Sequence, residues 1–256
     1  MIEKFPIYIP SLKNERLVRV HLPEDYSVHV EKKYPVLYMH DGQNVFHDKG
    51  AIGGVSLGLE EYLNKNKLDV ILVAIDQVSA ERLNEYCPWE NGPFNKELRG
   101  NELYGGKGKK YIDFIVNELK PLIDSKYRTI SDHTSIAGIS LGGLISTYAV
   151  CMYPQVFQHI ILLSPSFLAN QEEMENLIKQ SDLSPIKSLY LDFGAIEAGK
   201  GTPINTAFVA SNQTIYNLLK EKIANARLKI IDDGEHNYKS FKKRRAELFA
   251  PIFSGT

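Results

Sequence analysis

Six short apolar runs, separated by segments of helical periodicity, constrain the fold of this chain more than any other feature. The runs are rich in β-branched residues and nearly unbroken, a pattern typical of strands that are buried on both faces of a parallel sheet. Between them, apolar residues recur at three- and four-residue steps, most clearly from Tyr111 to Tyr127, which indicates helices. This alternation predicts a doubly wound α/β fold. The runs are PVLYMHD (35–41), DVILVAID (69–76), TSIAGIS (134–140), HIILLSPS (159–166), SLYLDFG (188–194) and RLKIIDDG (227–234).

Two earlier runs and one proline refine this prediction. FPIYIPS (5–11) and RLVRVHLP (16–23) alternate in the manner of strands, so we expect an antiparallel pair at one edge of the sheet. Pro121 falls inside the strongest helical segment and is expected to kink that helix or to end it early. No linker rich in proline, glycine or serine divides the chain, so we interpret residues 1–256 as a single domain.

Charge is balanced over the chain, with 30 basic and 31 acidic residues and a formal net charge of −1. This balance gives no electrostatic reason to expect a nucleic acid or an anionic membrane as a partner. The one basic cluster, KKRR at 242–245, lies among apolar residues at helical spacing, and we interpret it as a solvated helix face, with a binding patch as the alternative.

The sequence carries no pattern typical of secretion, membrane insertion or metal binding. The N-terminus does not resemble a signal peptide, and no apolar stretch approaches the roughly 18 residues that span a bilayer, so we expect a cytoplasmic protein. Cys87 and Cys151 are too few and too far apart for a disulfide framework or a metal site, which suits a reducing compartment. The histidines and aspartates between 40 and 48 also lack a known ligand spacing, so we expect no metal.

The segment GISLGG (138–143) fits the pattern G-x-S-x-G, with a predicted strand before it and a predicted helix after it. That context is the one in which a nucleophilic serine sits on a sharp turn at the carboxyl edge of a sheet. Gly138 and Gly142 leave room where strand and helix cross, and the amide of Leu141 lies at the helix start, where a developing negative charge is stabilised. Ser140 is therefore the candidate nucleophile, with a glycine-rich packing turn as the alternative interpretation.

A serine hydroxyl needs a base that accepts its proton. In the chain order nucleophile, acid, histidine, the base must follow Ser140, which leaves His159 and His236. His159 begins a predicted strand and so belongs at the opposite edge of the sheet. His236 follows the last predicted strand and can return to the edge that carries the serine, so we predict that His236 is the base.

A third group must orient the imidazole, and we expect it in the loop after the run SLYLDFG. Glu197 in that loop is the preferred acid. Asp192 lies inside the strand and is the next alternative, followed by Asp232 and Asp233, which are close in sequence to the histidine and therefore less suited to this geometry.

The irregular region 77–108 is longer than an ordinary connection in a compact domain, which favours a functional role. Its cationic and aromatic residues, Arg82, Tyr86, Trp89 and Phe94, are predicted to form part of a substrate pocket. The alternatives are a structural salt bridge for Arg82 and packing beneath the loop for Tyr86 and Trp89.

Five ordered segments together resemble the putative-esterase, or esterase D-like, branch of the α/β hydrolases. This resemblance implies an α/β-hydrolase fold with a mostly parallel eight-stranded sheet, helices on both faces, no large cap domain and no cofactor. It matches Ser140, His236 and the Glu197 of GAIE to the catalytic triad of that branch, and it implies that the amide of Gln43 is a second oxyanion donor beside Leu141. The segments are YMHDGQNVF, YIDFIVNELKPLID, YRTISDHTSIAGISLGGL, YPQVFQHIILLSPSF and GEHNYKSF.

The sequence thus predicts a serine carboxylic-ester hydrolase that acts through an acyl-enzyme on a small-molecule ester of short-acyl, sugar, aryl or siderophore type. The signature GLT of formylglutathione hydrolases is replaced by GQN, which argues against that activity. An acyltransferase with the same triad and a non-catalytic binding module on the same fold are the alternatives. The natural ester and the oligomeric state are left open by the sequence.

Overall fold

A computed structural model of the chain describes residues 1–90, 92 and 103–253. Within them, eight strands form one open sheet in the order β1-β2-β4-β3-β5-β6-β7-β8. The pairs β1–β2 and β2–β4 are antiparallel and all others are parallel, so the predicted mostly parallel sheet with an antiparallel edge is confirmed. The strands are β1 (Ile2–Ile9), β2 (Asn14–His21), β3 (Tyr34–Met39), β4 (Ile71–Ile75), β5 (Thr129–Ile139), β6 (His159–Leu163), β7 (Ser188–Gly194) and β8 (Ala226–Ile231).

Helices cover both faces of the sheet, as predicted. Successive residues of β3 alternate between two buried cores, with Val36 and Tyr38 in one and Leu37 and Met39 in the other. Burial on both faces explains why this strand reads as a continuous apolar run. The helices are α1 (Leu59–Lys65), α2 (Arg82–Tyr86), α3 (Gly108–Phe114), α4 (Lys120–Lys126), α5 (Leu141–Met152), α6 (Gln171–Gln180), α7 (Pro203–Lys220), α8 (Tyr238–Lys243) and α9 (Ala250–Phe253).

The helical segment around Pro121 does not end early. Helix α3 passes through a π-helical turn, Ile115–Leu119, directly into α4, and Pro121 lies in the first turn of α4. Because proline has no N–H to donate, the backbone must depart from regular α-helical bonding near this position, and the wider π turn provides that departure.

The connections above the carboxyl edge of the sheet are modest in the described residues. Between β6 and β7 lie a 3₁₀ turn, Phe167–Asn170, and the ten-residue helix α6, which agrees with the expected absence of a large cap. The region 77–108, expected to be irregular, contains helix α2, and its residue Phe94 lies outside the described residues. None of the described helices is long and apolar enough to cross a membrane.

Candidate active site

The turn between β5 and α5 holds Ser140 in a strained conformation, with φ +60° and ψ −124°. A positive φ is rare for a residue with a side chain and persists only where the surroundings enforce it. A Cβ at Gly138 would lie 1.9 Å from the carbonyl oxygen of Gly142, so the predicted need for glycine at 138 is met. At Gly142 a Cβ would make only ordinary contacts, the nearest at 3.5 Å, which corrects the expectation for that position. The second crowded glycine is Gly143, where α5 approaches Pro165 after β6.

The side chains of Ser140, His236 and Glu197 form one hydrogen-bonded chain. The Oγ of Ser140 lies 2.9 Å from Nε2 of His236, and Nδ1 of His236 lies 2.7 Å from Oε2 of Glu197. Since an ionised carboxylate can only accept, Nδ1 carries the proton in this arrangement and Nε2 is left to accept one from the serine. The three residues come from the turn after β5, the loop after β7 and the loop after β8.

Two glycines allow these last two loops to meet. A Cβ at Gly194 would lie 2.2 Å from the carbonyl oxygen of Gly234, and a Cβ at Gly234 would lie 2.6 Å from Cα of Gly194. The backbones therefore cross at a separation that excludes any side chain. The ring of His236 is held between those of Phe208 and Phe241, which pack edge-on with centroids at 6.0 and 5.3 Å.

Glu197 is almost completely buried, with 1% of its side chain exposed. Its Oε1 accepts from the hydroxyl of Ser164 and from the amide of Gly194 at 2.6 Å, so Oε2 remains for the imidazole. Of the alternative acids, Asp232 and Asp233 are exposed, and Asp192 is fully buried but bonded elsewhere. Asp192 accepts from Nη1 of Arg244 at 2.6 Å.

The family of the chain follows from comparison with known proteins. The family described as "Putative esterase" matches residues 9–250, nearly the whole chain. The chain belongs to the Putative esterase family. This confirms the resemblance drawn from the five sequence segments and the expectation of a carboxylesterase.

Relatives of this esterase agree in sequence and in fold. "Uncharacterized protein YbbA" of Bacillus subtilis is 28% identical over 211 residues, which are 81% of this chain and 79% of that protein. An IroE-like serine hydrolase from Shewanella oneidensis superposes with a TM-score of 0.79 at 20% identity and covers 98% of this chain and 79% of its own. The siderophore hydrolase EstA from Aspergillus nidulans superposes with a TM-score of 0.74 at 17% identity, covering 99% and 95%. At these identities the two structures show a shared fold.

The basic cluster KKRR of this esterase is only partly solvated, contrary to the prediction. Lys243 is exposed, but Arg244 is buried beneath the triad, with 6% of its surface exposed, and forms an ion pair with the carboxylate of Asp192. Arg245 is half-buried and donates to the carbonyl of Leu57 at 3.1 Å. The local run of cations gave no signal that one of the four points inward, because its carboxylate partner lies far away in sequence.

A second serine, Ser166, contacts the nucleophile candidate. Its Oγ lies 3.1 Å from Oγ of Ser140, and its amide donates to the carbonyl of Ser140 at 3.0 Å. The sequence carries no signal for this contact, because it depends on how the ends of β5 and β6 lie side by side.

The two predicted oxyanion donors lie at the start of α5 and in the turn after β3. The side-chain amide of Gln43 exchanges two hydrogen bonds, each of 3.0 Å, with the backbone N–H and C=O of Gln77. These bonds fasten the turn after β3 to the loop after β4. Within the described residues, neither the amide of Leu141 nor that of Gln43 donates to a protein acceptor.

A cavity of about 550 Å³ opens onto Ser140 and is lined mainly by apolar side chains. Arg82 reaches its wall, but its guanidinium donates to both carboxylate oxygens of Asp41, at 2.7 and 2.8 Å. The described lining includes Ser79, Arg82, Leu83, Tyr104, Leu141, Ser166, Leu168, Ala169, Ile204 and Phe208.

Contrary to the prediction, Tyr86 and Trp89 are not among the described residues that line the cavity. Tyr86 is completely buried, and its hydroxyl accepts from the amide of Asp41 at 3.1 Å. The ring of Trp89 packs edge-on against Tyr148, with centroids 5.3 Å apart. Both side chains support the loop from below because their large apolar surfaces find partners in the core.

The histidines and aspartates between 40 and 48 have separate partners. His40 is buried between the hydroxyls of Tyr111 and Ser146, at 2.9 and 3.0 Å, and burial lowers its pKa to about 4. His47 pairs with a glutamate of α1. Across the part of the chain that the structure describes, no three His, Cys, Asp or Glu side chains are arranged to hold a metal ion.

Proposed function

We propose that this esterase hydrolyses a small-molecule carboxylic ester through an acyl-enzyme formed on Ser140. The observation that carries the proposal is the hydrogen-bonded chain Ser140–His236–Glu197, set on a strained turn beside an apolar cavity. This combination meets the geometric requirements for an activated serine, namely a base within hydrogen-bond reach and a third group that orients it.

In the proposed reaction, Oγ of Ser140 attacks the ester carbonyl while Nε2 of His236 accepts its proton. Glu197 holds the imidazole in the required tautomer and stabilises the imidazolium. The amides of Leu141 and Gln43 donate to the oxyanion, and each such donor typically contributes about 3–4 kcal/mol. The alcohol leaves with the proton from His236, and a water molecule, activated by the same histidine, releases the acid.

The cavity favours an uncharged acyl group, aliphatic or aromatic. Its wall is formed by apolar side chains of three separate segments, namely Leu83 of α2, Leu168 of the 3₁₀ turn after β6, and Ile204 and Phe208 of α7. The charge of Arg82 is already matched by the bidentate contact to Asp41, so an anionic substrate would have to compete with that pair. A siderophore-type ester, the substrate class in the name of the structurally similar EstA, is one candidate within this class.

The test compares the wild-type protein with Ser140→Ala on p-nitrophenyl esters of increasing acyl length and follows labelling by a fluorophosphonate. We expect the variant to lose hydrolysis by several orders of magnitude and to lose labelling. Ser125→Ala, a change in an exposed hydroxyl on α4, serves as the matched control and should keep both. Hydrolysis by Ser140→Ala close to the wild-type rate would refute the proposal. Product analysis with and without an acceptor alcohol distinguishes hydrolysis from acyl transfer.

A further inference from the structure

We propose that the buried ion pair of Arg244 and Asp192 is a positioning device that holds Glu197 in place and sets the charge acting on His236. The inference rests on the proposed function of the triad, since it assigns a role behind Glu197. Neither residue contacts the cavity or Ser140 in the described structure, so both are positioning residues rather than catalytic ones.

Arg244 reaches the back of Glu197 from the end of α8. Its Nη1 donates to Asp192 at 2.6 Å, and its Nη2 donates to Oγ of Ser164 at 3.1 Å and lies 3.6 Å from Oε1 of Glu197. Its guanidinium also stacks on Phe241, whose ring packs against His236. One planar group therefore contacts the acid, the hydroxyl that bonds the acid and the ring beside the base.

Ser164 connects this pair to the acid. It follows β6 with a φ of +48°, a strained conformation for serine, and its hydroxyl donates to Oε1 of Glu197 while accepting from Arg244. Because a hydroxyl has one proton to donate, the donation from Arg244 orients that proton toward Glu197. The guanidinium thus determines which oxygen of Glu197 is occupied from behind and which faces the imidazole.

The charges explain why Asp192 is needed. If Arg244 stood alone, its positive charge near Oε1 would cancel the charge that Glu197 offers to the imidazolium. Asp192 is fully buried and offsets Arg244, and the hydroxyl of Tyr190 donates to it at 3.0 Å. Burial raises the pKa of Asp192, and the ion pair with Arg244 opposes that rise by favouring the ionised carboxylate.

Other charged groups near the pair come from neighbouring elements. Glu247, in the 3₁₀ turn after α8, acts on Asp192, and it is itself paired with Arg227 and Lys229 of β8 at 3.6 and 3.1 Å. These exposed contacts are screened by water, so the buried groups dominate the field at His236.

The experiment separates the charge from the geometry with two conservative variants, Asp192→Asn and Arg244→Lys. Asp192→Asn keeps the shape and removes the offsetting charge, so the imidazole of His236 should take up its proton at a pH lower by about half a unit or more. Arg244→Lys keeps the charge but lacks the fork that reaches Asp192 and Ser164 together. It should leave this titration near the wild-type midpoint and reduce kcat about tenfold with little change in KM.

The titration is followed by NMR of ¹³C-labelled histidine, with the His236 signal assigned from its loss in His236→Asn. This readout needs no substrate, so it remains valid if no ester is hydrolysed, and failure of the proposed function is seen separately in the wild-type assay. Lys243→Gln, which removes an exposed charge beside Arg244, is the matched control and should change neither titration nor kcat. An unmoved His236 titration in folded Asp192→Asn would overturn the charge role. Wild-type kcat in Arg244→Lys would overturn the positioning role, and if that variant does not fold, the kcat of Asp192→Asn decides instead, with a tenfold loss expected.

Discussion

At the scale of single residues, the site depends on a few positions where the backbone has no room for a side chain. Ser140 keeps its positive φ because Gly138, Gly143 and the turn after β6 surround it closely. Such backbone strain persists only when the surrounding contacts enforce it. The contacts that enforce it here also fix the position of the Ser140 hydroxyl above the sheet. The same surroundings bring the Oγ of Ser166 to 3.1 Å from that of Ser140.

The crowding at Gly138 leads to a prediction with an internal control. Gly138→Ala would place a methyl group 1.9 Å from a carbonyl oxygen, whereas Gly142→Ala would place one at an ordinary distance of 3.5 Å. We expect Gly138→Ala to lower the free energy of unfolding by more than about 2 kcal/mol and to abolish fluorophosphonate labelling, because the turn must shift. Gly142→Ala should leave the unfolding free energy within about 0.5 kcal/mol of wild type. Urea unfolding measures the free energy of unfolding of both variants, and equal values for Gly138→Ala and Gly142→Ala would contradict this prediction.

At the scale of elements, the site is assembled by pairs of loops that lock together at the carboxyl edge of the sheet. The loops after β7 and β8 cross at Gly194 and Gly234, which brings acid and base together. The turn after β3 is joined to the loop after β4 by the two hydrogen bonds between the Gln43 side chain and Gln77. Each of these contacts joins the loops that follow two neighbouring strands. The parallel strands therefore align the functional groups along one edge of the sheet.

If the amide of Gln43 is an oxyanion donor, its side chain serves to aim it. Gln43→Leu retains the backbone N–H but removes both bonds to Gln77, so the turn should lose its fixed orientation. We expect kcat to fall about tenfold while KM changes less than about twofold, because the interaction is made in the transition state. Steady-state kinetics on a p-nitrophenyl ester measures this. The exposed Gln180→Leu is the control, and a fall confined to KM would contradict the assigned role.

At the scale of the whole molecule, one sheet with two cores carries polar groups that only the folded state buries. Among them are three histidines, and the two with the largest pKa shifts are His40, under the nucleophile turn, and His159, at the start of β6. Burial lowers the pKa of these two to about 4, so both are neutral in the folded protein at pH 7. In the unfolded chain they titrate near their ordinary value of about 6.5.

The pH dependence of stability follows from these two histidines. Their folded pKa lies below the unfolded one, so their contribution is complete above about pH 6.5 and is lost as the pH falls toward 4, by up to about 3 kcal/mol for each. The free energy of unfolding, measured in urea at pH 7 and pH 4.5, should therefore fall with acidification. His159→Gln, a change remote from the triad, should show a smaller fall in the free energy of unfolding between the two pH values. A fall equal to that of the wild type would exclude a contribution from His159.

Much of this architecture could be predicted because it depends on patterns of residues that are close together in the sequence. Continuous apolar runs predict strands buried on both faces, and GISLGG between a strand and a helix predicts the turn that carries Ser140. The position of each histidine before or after a predicted strand separated His236 from His159, since parallel strands place their carboxyl ends at one edge. These features can be predicted without knowledge of contacts between residues that are distant in sequence.

What the sequence by itself determined was the sheet, its antiparallel edge, the turn of Ser140 and the family, because each depends on residues that are neighbours along the chain. Only the tertiary structure decided that Arg244 turns inward to Asp192, that Tyr86 and Trp89 lie beneath the pocket, and that Gly143 rather than Gly142 is crowded. Each of these outcomes depends on a partner distant in sequence. The burial of a side chain and the contacts it makes are settled only when such partners pack together.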